Sequence, residues 1–238
     1  IEAGKHVLCE KPISLKADEI DELIELQVKS GLIVAGAYMI VHHQQWQHAK
    51  GLLKSGVIGD LVQVDGVFSY NNKADVTNIR NNATTGGGSL PDIGVYTLGS
   101  TRFMTEEEPK EILHSSIVWE NKVDVWASVT AQFPSFQFLG VTSMRMQPRQ
   151  EMNFQGTEGL IRLTAPFNPQ VFGQAEVHLY RDQCNLQTFS FPHENHYVKQ
   201  LEAFCSSVKG GSEYPCSLEF SKGTQTMIEM VFEKAKSN

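Results

Sequence analysis

Lys5-His-Val-Leu-Cys-Glu-Lys-Pro-Ile-Ser14 opens on a short apolar strand, Lys5 to Cys9, and breaks at Pro12. Ser14 is the expected N-cap of a helix through about Ser30, with Ile20, Leu23, Ile24 and Val28 at helical spacing and Gly31 as its stop. Leu32-Ile-Val-Ala35 then has the character of a strand buried on both faces. Residues 5 to 35 therefore read strand, helix, strand. One such unit leaves edges and a sheet face uncovered, so further strands of the same layer are expected upstream of Ile1.

Downstream the pattern changes. A helix is expected from about His43 to Ser55, a strand from Leu61 to Tyr70, and a helix from about Leu90 to Met104 that carries Pro91 in its first turn. Strands are expected at Glu111 to Trp119, Val123 to Phe133, Phe136 to Met146, Gln150 to Gln155, Leu160 to Leu163, Glu176 to Arg181 and Leu186 to Phe191. Short turns between most of them imply an antiparallel meander. Two helices, about His196 to Lys209 and Leu218 to Lys236, end the chain. The expected class is α+β: a large, mostly antiparallel open sheet covered by helices on one face, preceded at 1–37 by the last βαβ unit of another layer. Residues 38–238 would form the main domain.

Composition narrows the function classes. The 238 residues, 41% hydrophobic and 20% charged, describe an ordinary globular chain. Lys+Arg 20 against Asp+Glu 27 gives a net charge of −7 with no basic run, so nucleic acid is not an expected partner. No apolar run reaches the roughly 18 to 20 residues of a membrane span, and no export signal is visible at the start. Cys9, Cys184, Cys205 and Cys216 stand far apart with no zinc-site spacing, which suits free thiols and a cytoplasmic setting.

Two clusters could carry chemistry. Glu10-Lys11-Pro12 lies at the carboxyl end of a parallel strand, where open α/β sheets bind ligands. Partial burial there would lower the lysine's pKa and make it a proton donor or acceptor. The bland reading is a solvated loop lysine. In Gly86-Gly-Gly-Ser-Leu-Pro-Asp92-Ile-Gly-Val-Tyr96, the carboxylate and the phenol are four residues apart on one helical face near its N-terminus. Its bland reading is a helix cap beside a half-buried tyrosine. Arg80, in a long polar loop, could bind an anion. His196 and Tyr197 could line the same cleft, whereas His42, His43 and His48 suggest packing more than metal ligation.

Together, Ala3-Gly-Lys-His-Val-Leu-Cys-Glu-Lys-Pro12, the Gly86 to Tyr96 segment and Gly156-Thr-Glu-Gly159 resemble the glucose-fructose oxidoreductase, inositol dehydrogenase and rhizopine-catabolism (Gfo/Idh/MocA) family. The resemblance covers essentially the whole chain. It implies a dinucleotide-binding Rossmann domain, of which residues 1–37 would be the end, followed by an α+β domain whose open sheet pairs copies into a homo-oligomer. It implies NADP or NAD as cofactor, with Glu10, Lys11, Pro12 and Arg80 near it, and no metal. It implies hydride transfer from a secondary alcohol of a pyranose-like sugar or polyol.

Lys11, Asp92 and Tyr96 would be the catalytic residues. Tyrosine at 96, where much of the family has histidine, resembles the branch of glucose-fructose oxidoreductase, dimeric dihydrodiol dehydrogenase and xylose dehydrogenase. In that branch the phenol is the general acid; here Lys11 would lower its pKa and Asp92 would hold substrate hydroxyls or position Lys11. Two departures stand out. Ile40, Val41 and Gln44 occupy places where relatives carry substrate-contacting residues, and the glycine-rich dinucleotide fingerprint is not in this sequence, which implies a fragment. The alternatives are a non-catalytic sugar-binding or oligomerisation module, a dinucleotide sensor, and a nicotinamide-dependent glycosidase.

Overall fold

The computed structural model describes residues 1–182 and 185–237; Cys184 lies outside them. Strand β1 (Val7–Glu10) pairs in parallel with β2 (Val34–Ala37) across helix α1 (Glu19–Ser30). The helix starts later than expected. Ser14 is spent on a local turn, its hydroxyl bonded to the Lys16 carbonyl, and acidic Glu19, Asp21 and Glu22 open the helix instead. Gly31 caps it in the left-handed conformation, its N–H donating to the Gln27 carbonyl. Ile20 is buried, but Val28 is 78% exposed, because α1 presents only the Ile20, Leu23 and Ile24 face to the interior. The second strand begins at Val34 because the Ile33 N–H is taken by the His6 ring.

Helix α5 (Leu218–Lys236) welds this unit to the rest. Leu218 is buried with Ile20 and Val34, the Ala17 N–H donates to Glu229 Oε1 at 2.6 Å, and Gln225 donates to the Leu15 carbonyl at 2.8 Å.

The main sheet has eight strands: β3 (Leu61–Asn71), β4 (Glu111–Glu120), β5 (Val123–Gln132), β6 (Gln137–Ser143), β7 (Arg145–Gly156), β8 (Gly159–Thr164), β9 (Glu176–Arg181) and β10 (Asn185–Ser190). Their order is β10-β9-β8-β7-β3-β6-β5-β4. This corrects the meander. β6 and β7 are consecutive yet not paired, because β3 enters between them, antiparallel to β7 and parallel to β6 with Val64 opposite Phe138. The run expected as one strand from Phe136 to Met146 is broken at Met144, which is fully buried and whose carbonyl accepts from Asn72 N–H.

Helices α2 (Gln44–Lys54), α3 (Val95–Thr105) and α5 pack on one face over Trp46, Phe138, Phe154 and Ile161, while α4 (His196–Val208) packs beside the turn Met39–His42. The opposite face mixes apolar Leu139, Val141 and Met146 with polar side chains. There Asn153 donates to Asp65 and Glu151, and Arg162 pairs with Glu151 at 2.9 Å.

The helix expected from Leu90 is two pieces, a π-helical turn Leu90–Gly94 continued by α3. Buried Asp124 on β5 anchors that start, accepting from Leu90 N–H and Ser89 hydroxyl, each at 2.7 Å. Gly88 is required beside it: its φ is 136°, and a Cβ there would lie 2.0 Å from Asp124 Oδ1. Burial pushes the Asp124 carboxyl up to about 6, outweighing these two hydrogen bonds. A folded-state pKa above the unfolded value means the native state binds the extra proton, so this group's contribution falls as pH rises from about 4 to 6. Asp124→Asn is therefore expected to flatten that pH dependence by on the order of 2 kcal/mol, measured by urea unfolding at pH 4 and pH 7.

Candidate active site

Lys11 follows the last residue of β1, joined to Pro12 by a cis peptide bond, and so stands at the carboxyl end of the parallel pair. Its ammonium donates to Asp92 Oδ1 at 3.1 Å and to the Asp92 backbone carbonyl. The π-helical turn places Asp92 there. Its second carboxylate oxygen accepts from the Tyr70 hydroxyl at 2.7 Å and from Arg80 Nε at 2.9 Å. One carboxylate thus gathers two cations and a phenol.

Their charges are interlocked. Burial works to raise the Asp92 pKa, but Lys11, Tyr70 and Arg80 outweigh it and hold the carboxyl below its usual range. Burial lowers the Lys11 pKa while Asp92 opposes. Tyr96, at the start of α3, sits one turn after Asp92 with the Lys11 ammonium 4.5 Å from its ring centroid.

The expected effect on Tyr96 is corrected. Lys11 lies over the face of the ring rather than at the hydroxyl, which is 3.5 Å from Met39 Sδ. Burial among Tyr38, Phe68 and Phe167, with Tyr197 and Asp92 adding to it, raises the phenol well above its ordinary pKa. It stays protonated at neutral pH.

These groups wall a cleft of about 700 Å³ that also takes in Glu10, Pro12 and Tyr197. All six residues singled out from the sequence, Glu10, Lys11, Pro12, Arg80, Asp92 and Tyr96, line it. Gly86 and Gly87 also line the cleft. Gly87 is needed because the Arg80 carbonyl lies 2.4 Å from where its Cβ would be, so the run pins the Arg80 loop. Arg145 holds the other side of that loop through Asn72 at 2.8 Å and Asn81 at 3.1 Å.

Other candidates lie elsewhere. His196 packs against His43 with ring centroids 5.7 Å apart, and His42 meets the Tyr214 hydroxyl at 3.2 Å. Ile40 and Val41 are fully buried core residues, and Gln44 caps no part of the cleft wall. Tyr70, Phe68 and Asn168 were not anticipated. No spacing rule links Tyr70 to Asp92, 22 residues away; only the strand order shows that β3 ends over the π-helical turn.

Comparison with known proteins agrees with this architecture. Residues 46–162 match the model of the GFO/IDH/MocA C-terminal domain, and residues 1–38 match that of the oxidoreductase family with an NAD-binding Rossmann fold. An uncharacterized oxidoreductase of Rhizobium meliloti is 32% identical over 99% of this chain and 72% of its own length. A dTDP-3,4-didehydro-2,6-dideoxy-alpha-D-glucose 3-reductase of Actinomadura kijaniata is 29% identical over 90% of this chain and 64% of its own length. D-xylose 1-dehydrogenase (NADP(+)) 2 of Haloferax volcanii is 26% identical, covering 98% and 72%. The crystal structure of a 3-ketoreductase from Actinomadura kijaniata with NADP and TDP-benzene superposes with a TM-score of 0.88 at 25% identity, over 98% of this chain and 72% of that one. The chain thus spans 64–72% of the length of these relatives. On the family matches, the ordered motifs and the shared fold, the chain belongs to the Gfo/Idh/MocA family of NAD(P)-dependent oxidoreductases.

Proposed function

We propose that the intact protein interconverts a secondary alcohol and a ketone on a sugar or polyol, using NADP or NAD. The observation that carries this reading is the juxtaposition of Lys11, Asp92 and Tyr96 in one cleft at the carboxyl end of β1. Residues 1–37 would be the end of the nucleotide-binding domain and 38–238 the substrate domain, a division that the two family matches support.

The donor set suits a nicotinamide coenzyme. A cleft of about 700 Å³ is edged by one ammonium, one guanidinium and the three phenols of Tyr70, Tyr96 and Tyr197, with Phe68 and Ile93 as apolar wall. Lys11 and Arg80 are the residues that would face it. When bound, the coenzyme supplies or accepts the hydride at the substrate carbon.

The chain's residues handle the proton and the charge. In the reductive direction the substrate oxygen gains negative charge, which the Lys11 ammonium stabilises, and the Tyr96 hydroxyl delivers the proton to that oxygen. Burial keeps the phenol protonated and able to donate while making it a weaker acid. In oxidation the alcohol proton would pass to Tyr96 as its phenolate, a form that burial disfavours. Asp92 holds Lys11 on target, and Phe68 and Ile93 form the cleft's apolar wall.

The test is coenzyme turnover by the intact protein, followed at the reduced nicotinamide absorbance. Tyr96→Phe is expected to lower kcat about 100-fold with coenzyme affinity unchanged by fluorescence titration. A variant that keeps its kcat would remove Tyr96 from proton transfer. The open sheet face bearing Asp65, Leu139, Glu151 and Asn153 is the surface through which a second copy would pair. Free Cys9, Cys205 and Cys216 suit a cytoplasmic setting, and among the described residues no helix is long and apolar enough to cross a membrane.

A further inference from the structure

We infer that Arg145, which does not line the cleft, is a positioning residue: its guanidinium fixes where the 72–87 loop stands and so holds Arg80 in place for the coenzyme. This rests on the oxidoreductase reading of the site and adds a residue that lies behind its wall.

The loop shapes itself but does not place itself. The Asn78 and Asn82 side chains accept from the N–H groups two residues on, Arg80 at 3.0 Å and Thr84 at 2.9 Å, forming two Asx turns. Asp75 accepts from the Thr77 and Asn78 side chains, and Asn81 Nδ2 donates to the Asn72 and Asp75 carbonyls. All of these partners lie within the loop, so they set its form and leave its body free to swing about its ends. Among the described residues, three hydrogen bonds or ion pairs tie 75–85 to something beyond the loop. They are Arg80 to Asp92 at 2.9 Å, Gly88 N–H to the Arg80 carbonyl at 3.1 Å, and Arg145 to Asn81 Oδ1 at 3.1 Å. The last is the one that reaches the main sheet.

Arg145 is itself held firmly. Its side chain is 16% exposed, and Nε pairs with Glu120 at 2.8 Å. Nη1 donates to the Met144 carbonyl and to Asn72 Oδ1, each at 2.8 Å, while Nη2 meets Asn81. The planar fork thus joins the end of β4 and the start of β7 to both the root and the middle of the loop. A single ammonium cannot span these acceptors. Asn81 follows Arg80 directly, so the placement passes through one peptide link. Arg80 spends Nε on Asp92, and among the described residues its two terminal nitrogens have no protein partner, which leaves them to a bound anion. Without the fork, the bonded placement becomes one of several. Coenzyme affinity then falls with the fraction of molecules that keep it, while the bound complex turns over as before.

The experiment uses the intact protein and whichever of NADPH and NADH binds it more tightly. Arg145→Lys keeps the charge and Glu120 as a partner; Asn81→Ala leaves Arg145 on Glu120 and Asn72. Both are expected to raise the coenzyme Kd about tenfold by fluorescence titration, with kcat at saturating coenzyme within about twofold of the wild type. Arg80→Ala is expected to weaken binding similarly, and adding Arg145→Lys to it to change the Kd by less than about twofold. Without coenzyme, tryptic cleavage after Arg80, mapped by mass spectrometry, is expected to quicken about tenfold in Arg145→Lys relative to cleavage elsewhere. Wild-type affinity or wild-type cleavage at Arg80 in Arg145→Lys, a kcat that falls with the affinity, or an undiminished effect on the Arg80→Ala background overturns the inference and leaves the oxidoreductase reading standing. Wild-type protein that binds neither coenzyme and turns over no substrate overturns both.

Discussion

Lys11→Met in the intact protein is expected to lower kcat/KM about 1,000-fold while the protein folds normally. Methionine keeps the unbranched apolar stem of the side chain and removes only the ammonium. That ammonium is placed where it can meet a substrate oxygen, beside Tyr96 and against Asp92. Losing it removes the charge that stabilises a developing alkoxide, a loss felt in the transition state more than in the ground state. The effect should therefore fall on kcat, with KM changing much less. Stability should move little, because Asp92 keeps Arg80 and Tyr70 as partners. Stopped-flow or steady-state assays, paired with thermal unfolding, check both halves. A variant within about tenfold of the wild type would remove Lys11 from the chemistry.

Asp92→Ala is expected to cost about 3–5 kcal/mol of stability and to abolish turnover. The two side chains of the Lys11–Asp92 pair are only 13% and 14% exposed, so removing the carboxylate strands a mostly buried ammonium and deprives Tyr70 of its acceptor. The pH dependence carries a sign that separates this from a simple packing defect. The Asp92 pKa is depressed in the fold, so its contribution is complete above the unfolded carboxylate range and is lost as pH falls through the folded value. The stability gap between wild type and Asp92→Ala should shrink in acid. Urea unfolding at pH 7 and below pH 4 measures it; a gap that is constant with pH would assign the loss to packing alone. Asp92→Asn, which preserves volume, should recover part of the stability and little of the activity.

Much of this arrangement is legible before any coordinates, for reasons that are local. The expected bounds of the final helix coincide with Leu218–Lys236, where the structure shows Ser217 as its N-cap. Asp92 and Tyr96 share a face because four residues make about one turn. Lys11 is set by the end of a parallel strand.

What escapes is long-range. The insertion of β3 between β6 and β7 depends on pairing with segments 70 or more residues away, and no turn signal encodes it. Tyr70 reaches Asp92 only through that insertion. Arg80 was expected to approach a cofactor, and its bond to Asp92 depends on how the Asn-rich loop folds back over the glycine run. The position of Lys11 over the Tyr96 ring, rather than at its hydroxyl, is a tertiary contact, with Lys11 held by Asp92 and the hydroxyl turned to Met39 Sδ. Burial of the phenol, another tertiary effect, raises its pKa.

The most direct measurement is a crystal structure of the intact protein with NADP and an unreactive polyol inhibitor. One substrate hydroxyl is expected within hydrogen-bond reach, about 2.6–3.2 Å, of both Lys11 Nζ and Tyr96 Oη, with its carbon facing the nicotinamide. A polyol seated elsewhere, or a hydroxyl that meets neither group, would contradict it.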